Sequence, residues 1–140
     1  MKQQLYDALS DNPIIMAIKD ETGLKACLNI RDATVVFVLY GEVATIADIT
    51  EQLKAAGKQV MVHMDLITGL SAREEAVDFI AKYTKADGII STRFEQIKRG
   101  KQLDLSTIFR IFVIDSKAIS NLNRHISDYA DIVEILPGLI

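Results

Sequence analysis

Charged and polar side chains stand at the ends of, or within, a series of short apolar segments, and their types suit an anionic ligand with hydroxyl groups. The set comprises Lys19, Asp20, His63, Asp65, Arg93, Arg110, Asp115 and Glu134. Lysine and arginine side chains balance the charge of a phosphate group, and carboxylates accept hydrogen bonds from hydroxyl groups. Brought together by the fold, these residues would form a site for a small polyol phosphate.

Six apolar segments must position these side chains. They occupy residues 14–20, 35–41, 60–65, 88–93, 108–116 and 132–138. Continuous apolar runs of this length are typical of strands that are buried on both faces, and helical segments between them favour parallel pairing. Because the carboxyl ends of parallel strands share one edge of the sheet, we expect the charged side chains to converge there.

Segments with helical periodicity separate the strands. Helices are predicted over residues 22–29, 44–57, 71–83, 94–103 and 116–123. Capping boxes at Ser71–Glu74 and Thr92–Glu95 indicate the starts of two of these helices, and Ser116 is placed to cap a third. Gly57 suits the left-handed position that ends many helices. The alternation of strands and helices predicts an α/β fold.

The spacing of the elements leaves two architectures, an open doubly wound sheet or a parallel (β/α) barrel. A complete barrel needs eight strand–helix units and typically about 250 residues. This chain has 140 residues and six visible strands, and no linker or charge block divides it. Residues 1–140 are therefore predicted to form a single domain, which is either an open sheet or a barrel that is truncated at its C-terminal end.

The net charge and the lengths of the apolar runs exclude several classes of protein. A formal net charge of -3 argues against a protein that coats nucleic acid indiscriminately, yet residues 93–127 hold seven Lys and Arg against three Asp and Glu, a net charge of +4. The N-terminus lacks the apolar region of a signal peptide, and no apolar run approaches the roughly 20 residues that cross a bilayer. A cytoplasmic protein without a membrane partner is predicted.

Nucleotide-binding and metal-binding motifs are absent from the sequence. It contains neither a Gly-x-Gly-x-x-Gly turn nor a Gly-x-x-x-x-Gly-Lys-Ser/Thr phosphate loop. The two histidines and one cysteine lack the spacing of metal ligands. We therefore expect no cofactor and no metal, and we expect Cys27 to be a buried, unreactive thiol.

Several of the charged residues also have structural interpretations. Lys19 pairs with Glu134 in one of them, and Arg110, which falls within a strand, is interpreted first as an inward-facing partner of a carboxylate. His63 alternates with apolar neighbours, which is expected of a hydrogen-bonded core histidine as well as of a catalytic base. Asp65 could simply begin a turn, with Gly69 permitting a positive φ.

Five segments of the chain combine into a distinctive pattern. They are Ala17–Asp20, Val62–Leu70, Asp87–Arg93, Phe112–Ser116 and Glu134–Gly138. Taken in this order, they resemble the glycerol uptake operon antiterminator family, and the resemblance runs through nearly the whole chain. It implies a TIM-barrel-like protein of the bacterial cytoplasm, with about six of eight (β/α) units in this chain. It also implies a response to glycerol 3-phosphate and binding to the leader mRNA of glycerol-utilisation genes, so that transcription passes a terminator.

The chain departs from the family pattern in two respects. Members of the family usually continue past the Leu-Pro-Gly segment into a seventh and an eighth strand and a glycine-rich loop that binds phosphate in barrels. In addition, Phe109 occupies a position before Arg110 where relatives tend to carry a polar residue. A phosphate cradle and a polar contact at residue 109 are therefore not expected from this chain.

Two sets of functional residues are predicted, the first by mapping the resemblance onto this sequence and the second from the basic side chains of residues 93–127. The effector-binding set is Lys19, His63, Asp65, Arg93, Arg110, Asp115 and Glu134. The RNA-binding set is Lys98, Arg99, Lys101, Lys117 and Arg124. Binding of a single-stranded leader RNA needs phosphate neutralisation, which these basic side chains supply, together with stacking groups nearby. Phe94 and Tyr129 are candidates for stacking, although core packing also explains Phe94.

Two other functions compete with an RNA-binding regulator. A small TIM-barrel lyase, isomerase or aldolase that acts on a phosphorylated sugar or polyol would use Lys19, His63 and Asp65 as Schiff-base or acid–base groups. An oligomerisation or metabolite-sensing module, for example a homo-oligomer, would bind the effector without contacting RNA. The regulator is the preferred prediction, and no enzymatic activity is expected.

Overall fold

The computed structural model describes residues 2–113 and 124–137, where helices alternate with strands. The helices are α1 (Lys2–Asp11), α2 (Glu21–Leu28), α3 (Ile46–Ala55), α4 (Glu75–Tyr83), α5 (Phe94–Gln102) and α6 (Arg124–Ser127), and a short 3₁₀ helix spans Met64–Leu66. The strands are β1 (Ile15–Ile18), β2 (Val35–Val38), β3 (Gln59–His63), β4 (Gly88–Ser91), β5 (Ser106–Val113) and β6 (Ile132–Pro137). All six predicted strands are present, whereas α1 and α6 were not predicted.

The six strands form one sheet in chain order, and each strand is parallel to the next. Helices α2 to α5 cover one face of the sheet, and the opposite face encloses a separate apolar core. A doubly wound sheet would reverse its strand order and carry helices on both faces. The sheet therefore curls into a half-barrel, which confirms the predicted TIM-barrel-like fold with six of eight units.

The outer core lies between the sheet and the helices. Ile46, Ile49 and Leu53 of α3 are buried in it, as their spacing requires, and they pack with outward-facing strand residues such as Val36 and Val62. Burial in this layer removes apolar surface from water and holds each helix against its strands.

The inner core lies on the concave face of the sheet. Val35, Phe37 and Met61 point into it and pack with Leu5 of α1. This packing places α1 against the inner face near the beginning of β2. The inner face is not fully covered, because Ile15 of β1 and Phe112 of β5 are 41% and 55% exposed. Among the described strands, none lies between β6 and β1 to close the barrel.

Two aspartates, whose side chains are 11% and 8% exposed, connect the amino ends of neighbouring strands. Asp87, just before β4, accepts hydrogen bonds from the backbone N–H of Val60 in β3 at 2.8 Å and from Lys54 Nζ at 2.9 and 3.0 Å. Asp131, just before β6, accepts from the backbone N–H of Thr107 in β5 at 2.9 Å. These contacts, which we call the aspartate latches, satisfy backbone groups that the parallel ladder leaves open.

Both predicted capping boxes are wrong. Helix α4 begins at Glu75 without a side-chain cap, and the Ser71 hydroxyl instead accepts from the backbone N–H of Arg73 at 3.2 Å. Helix α5 begins at Phe94, also without a side-chain cap, because the Thr92 hydroxyl donates to Asp65 across the strand ends. The predicted helix over residues 116–123 lies outside the described residues.

Two other local expectations, the left-handed backbone of Gly57 and the burial of Cys27, are confirmed. Gly57 follows α3 with a φ of 81°, in the left-handed region that glycine adopts without strain. Cys27 is fully buried in α2, and burial raises the pKa of its thiol. Within the described ranges, no helix has both the length and the apolar character needed to span a bilayer.

Candidate functional site

A cavity of about 210 Å³ opens on the inner face at the carboxyl ends of the strands. It is lined by His63, Asp65, Leu66, Thr92, Arg110 and Phe112. His63 and Arg110 belong to the inner face because they lie two residues beyond Met61 and Ile108, which are part of the inner core. Strands β3 and β5 contribute residues to this cavity, and so do the segments that follow β3 and β4. The curl of the sheet brings these four parts of the chain together.

Arg110 and Glu134 form an ion pair at the side of this cavity. They are register partners on the adjacent strands β5 and β6, and Arg110 Nε donates to Glu134 Oε1. The side chains are 18% and 29% exposed, so water screens the pair only in part. The prediction that Arg110 faces inward toward a carboxylate is confirmed. The alternative that Glu134 pairs with Lys19 is wrong.

Asp65 connects the end of β3 to the turn between β4 and α5. Its Oδ2 accepts from the backbone N–H of Thr92 at 3.1 Å and from the Thr92 hydroxyl at 2.7 Å. Its Oδ1 lies 3.8 Å from Arg93 Nε. Asp65 therefore fixes the position of this turn. Gly69, with a φ of 93°, allows the chain to turn after Asp65, as predicted.

His63 is the most deeply buried polar group of the cavity, with 3% of its surface exposed. Neither ring nitrogen has a hydrogen-bond partner among the described residues. Burial of the imidazole, reinforced by the nearby Arg110 guanidinium, lowers the pKa of His63, and Asp65 and Glu134 oppose this effect. The prediction that His63 is a buried histidine is confirmed, but not the expectation that it is hydrogen-bonded.

The lowered pKa of His63 predicts how stability depends on pH. The unfolded chain takes up the proton near pH 6.5, whereas the folded protein takes it up only at lower pH. The contribution of His63 to the free energy of unfolding is therefore fully present above pH 6.5 and decreases as the pH falls below that value. The free energy of unfolding of the parent protein and of His63→Gln is measured by urea denaturation at pH 7.5 and 5.5. Between these two pH values, it should fall by more in the parent protein than in His63→Gln. If the free energy of unfolding fell by the same amount in the two proteins, the lowered pKa of His63 would be contradicted.

The other predicted effector residues occupy different positions. Lys19 follows β1, is exposed and does not line the cavity. Arg93 lines a neighbouring open cavity of about 300 Å³, together with Asp65 and Thr92. Asp115 lies outside the described residues. The structure thus brings together His63, Asp65, Arg110 and, beside them, Glu134 and Arg93, but not Lys19.

Three residues that line the cavity were not predicted from the sequence. Thr92 is the partner of Asp65, and Leu66 and Phe112 supply apolar surface to the cavity wall. Phe112 follows Arg110 by two residues, so the period of a strand indicates that both share a face. Thr92 follows Ser91 directly at a strand end, and its hydroxyl was assigned to a helix cap instead.

The basic side chains of α5 point away from this cavity, and each has a neighbour. Lys98 Nζ lies 5.5 Å from the centroid of the Tyr129 ring. Arg99 forms a 2.6 Å ion pair with Asp78 of α4, which lowers the pKa of that carboxyl. Lys101 Nζ lies 3.7 Å from Asp131. Lys117 and the side chain of Arg124 lie outside the described residues.

Phe94 packs in a small cluster beneath α5. Its ring lies 5.8 Å from Phe109 and 5.8 Å from Tyr129, with an edge-on geometry to the latter. The packing interpretation of Phe94 is therefore confirmed, and the apolar character of residue 109 is explained by the same cluster. No three His, Cys, Asp or Glu side chains in the described ranges are arranged to hold a metal ion.

Comparison with known proteins identifies relatives of this chain. A family model described as glycerol-3-phosphate responsive antiterminator matches residues 14–140. The Escherichia coli K12 protein YgcP, which is uncharacterized, is 36% identical over 135 residues, or 96% of this chain and 70% of its own length.

Two crystal structures have the same fold. The glycerol uptake operon antiterminator regulatory protein of Listeria monocytogenes superposes with a TM-score of 0.78 at 34% identity, over 90% of this chain and 69% of that one. A glycerol uptake operon antiterminator-related protein of Thermotoga maritima gives a TM-score of 0.75 at 33% identity, over 89% of this chain and 70% of that one.

Proposed function

Because this chain belongs to the glycerol-3-phosphate responsive antiterminator family, we propose that it binds glycerol 3-phosphate in the half-barrel and acts as an RNA-binding antiterminator. It would contact the leader mRNA of glycerol-utilisation genes in the cytoplasm and allow transcription to pass a terminator. The regulatory description of the family favours this role over the enzymatic alternative.

The cavity at the carboxyl ends of the strands is the observation that supports an effector site. Its surface is mainly apolar, with Arg110 and His63 among the residues that line it, and its volume of about 210 Å³ suits a ligand of a few heavy atoms. A phosphate monoester carries between one and two negative charges at neutral pH, and Arg110 is the cation that the cavity offers it. Glu134 would exchange its hydrogen bond with Arg110 for one with water or with a ligand hydroxyl.

The connection between the cavity and α5 supports a route from effector to RNA. Asp65 lines the cavity and holds Thr92, and α5 begins two residues later at Phe94. A ligand that alters the hydrogen bonds of Asp65 would therefore shift the start of α5. The RNA surface that we propose on this helix is formed by Lys98, Arg99 and Lys101, whose present carboxylate or aromatic neighbours would give way to phosphates and bases.

The proposal is tested by binding of the leader transcript in the presence and absence of glycerol 3-phosphate. We expect the affinity for the leader RNA, measured by filter binding, to rise when the effector is added. Glycerol and inorganic phosphate at the same concentration should leave the affinity unchanged. An affinity that does not respond to the effector would contradict the proposal, and turnover of glycerol 3-phosphate during incubation would favour the enzymatic alternative instead.

Removal of the α5 charges provides a second test. The triple variant Lys98→Gln, Arg99→Gln and Lys101→Gln should bind the leader RNA more weakly, with the slope of log K against log salt reduced by about 2, because each lost phosphate contact removes about 0.7 from it. The matched control is Lys25→Gln, Lys82→Gln and Lys85→Gln, which removes the same charge from exposed positions elsewhere. Equal salt slopes in the two triple variants would exclude α5 as the RNA surface.

A further inference from the structure

The imidazole of His63 is an unusual group in this fold. It is 97% buried, since 3% of its surface is exposed, and both nitrogens lack a partner within the described part of the chain. Buried polar atoms are hydrogen-bonded in the great majority of native proteins, because an unpaired one costs about 1–3 kcal/mol. His63 also lines the cavity at the carboxyl ends of the strands. Both nitrogens are themselves buried, so a molecule in that cavity would supply the missing partner once the ring turns a nitrogen toward it.

The protonation state of the imidazole limits what that partner can be. Burial and Arg110 favour the neutral form, in which one nitrogen donates and the other accepts. A hydroxyl group also donates and accepts, and it is therefore a suitable partner for a neutral imidazole. A phosphate dianion only accepts, and the permanently charged Arg110 serves it better.

The other walls of the cavity are consistent with a hydroxyl group at His63 and a phosphate group at Arg110. Leu66 and Phe112 are 46% and 55% exposed and line the same cavity as His63 and Arg110. Large apolar side chains left this exposed provide surface for the carbon chain of a ligand. Asp65, by contrast, is occupied by Thr92 and contributes mainly to the position of the turn.

We infer that His63 recognises a hydroxyl group of the ligand and thereby selects phosphorylated polyols over phosphate esters that lack hydroxyls. The inference rests on the proposed function, since it concerns the same site. A site built to hydrogen-bond a hydroxyl discriminates strongly against an analogue without it, because the buried polar group is then left unpaired. His63 is in this sense a specificity-determining residue of the effector cavity.

The experiment compares glycerol 3-phosphate with n-propyl phosphate, which has the same chain and phosphate but no hydroxyl. Calorimetric titration of the parent protein should show at least about tenfold weaker binding of propyl phosphate. In His63→Leu, which keeps the approximate size of the side chain without its polar atoms, most of the preference for glycerol 3-phosphate should be lost. His63→Gln, whose amide both donates and accepts, should retain most of the preference.

The outcomes separate the inference from the function on which it rests. Parent protein that binds neither ligand would overturn the proposed effector site. Parent protein that prefers glycerol 3-phosphate, with the same preference in His63→Leu, would overturn the role of His63 alone. Circular dichroism is used to check that each variant is folded. Ile89→Val, in the buried outer core, is the control for a small loss of stability, and its ligand preference should equal that of the parent protein.

Discussion

Replacement of Arg110 by methionine is expected to reduce the affinity for glycerol 3-phosphate by at least about 30-fold. The guanidinium is the permanent cation of the cavity, and loss of one partner of a charge-assisted contact typically costs about 2 kcal/mol or more. The same change leaves the Glu134 carboxylate without its partner. Because Glu134 is 29% exposed, we expect the free energy of unfolding to fall by about 2 kcal/mol rather than by the larger amount seen for fully buried pairs.

The double variant Arg110→Met with Glu134→Leu separates the two effects. It removes both charges from the inner face, so urea unfolding should show most of the lost stability restored, whereas calorimetry should show no recovery of binding. Recovery of glycerol 3-phosphate binding in the double variant would assign the phosphate to another cation, for which Arg93 or Lys19 would be the next candidates.

The largest effect on stability is expected for Gly88→Ala at the start of β4. A Cβ atom at this position would lie 2.4 Å from the backbone oxygen of Ser106 in β5 and 2.7 Å from Met61 Sδ. The oxygen belongs to the neighbouring strand and cannot move away as a side chain can. We expect a loss of about 3 kcal/mol in the free energy of unfolding, measured by urea denaturation followed by circular dichroism.

A glycine in a helix provides the matched control. Gly23 lies in α2, where an added Cβ would meet its nearest neighbours at 3.4 Å, an ordinary contact. Alanine favours a helix by up to about 1 kcal/mol over glycine, so Gly23→Ala should leave stability unchanged or increase it. If both variants unfolded at the same urea concentration as the parent protein, close contact between β4 and β5 would not limit residue 88.

The presence of the strands and their parallel pairing followed from the sequence because both depend on local signals, whereas the strand order did not and was implied by the family resemblance. Continuous apolar runs such as Val35–Val38 predicted buried parallel strands, and the spacing between runs left room for one helix each. The starts of the helices were harder to predict from the sequence. A hydroxyl at a helix start can bond to any nearby acceptor, and the Thr92 hydroxyl bonds to Asp65, which is 27 residues away in the chain.

The site was predicted as a set of residues but not as an arrangement. Arg110 and Glu134 were both identified, yet their pairing depends on the register between β5 and β6, which apolar strands do not encode locally. The unpaired state of His63 could not be predicted at all. It results from which side chains fail to reach the ring nitrogens, and only the three-dimensional arrangement decides that.

The aspartate latches at the amino ends of the strands share one arrangement. In each, a lysine stands six residues before the strand residue whose N–H binds the aspartate: Lys54 before Val60, and Lys101 before Thr107. Two of the strand pairs, β3 with β4 and β5 with β6, are thus held together at the same point. Because these contacts fix the amino ends of the pairs, we expect the strands to keep their register when the polar groups at the carboxyl ends exchange partners.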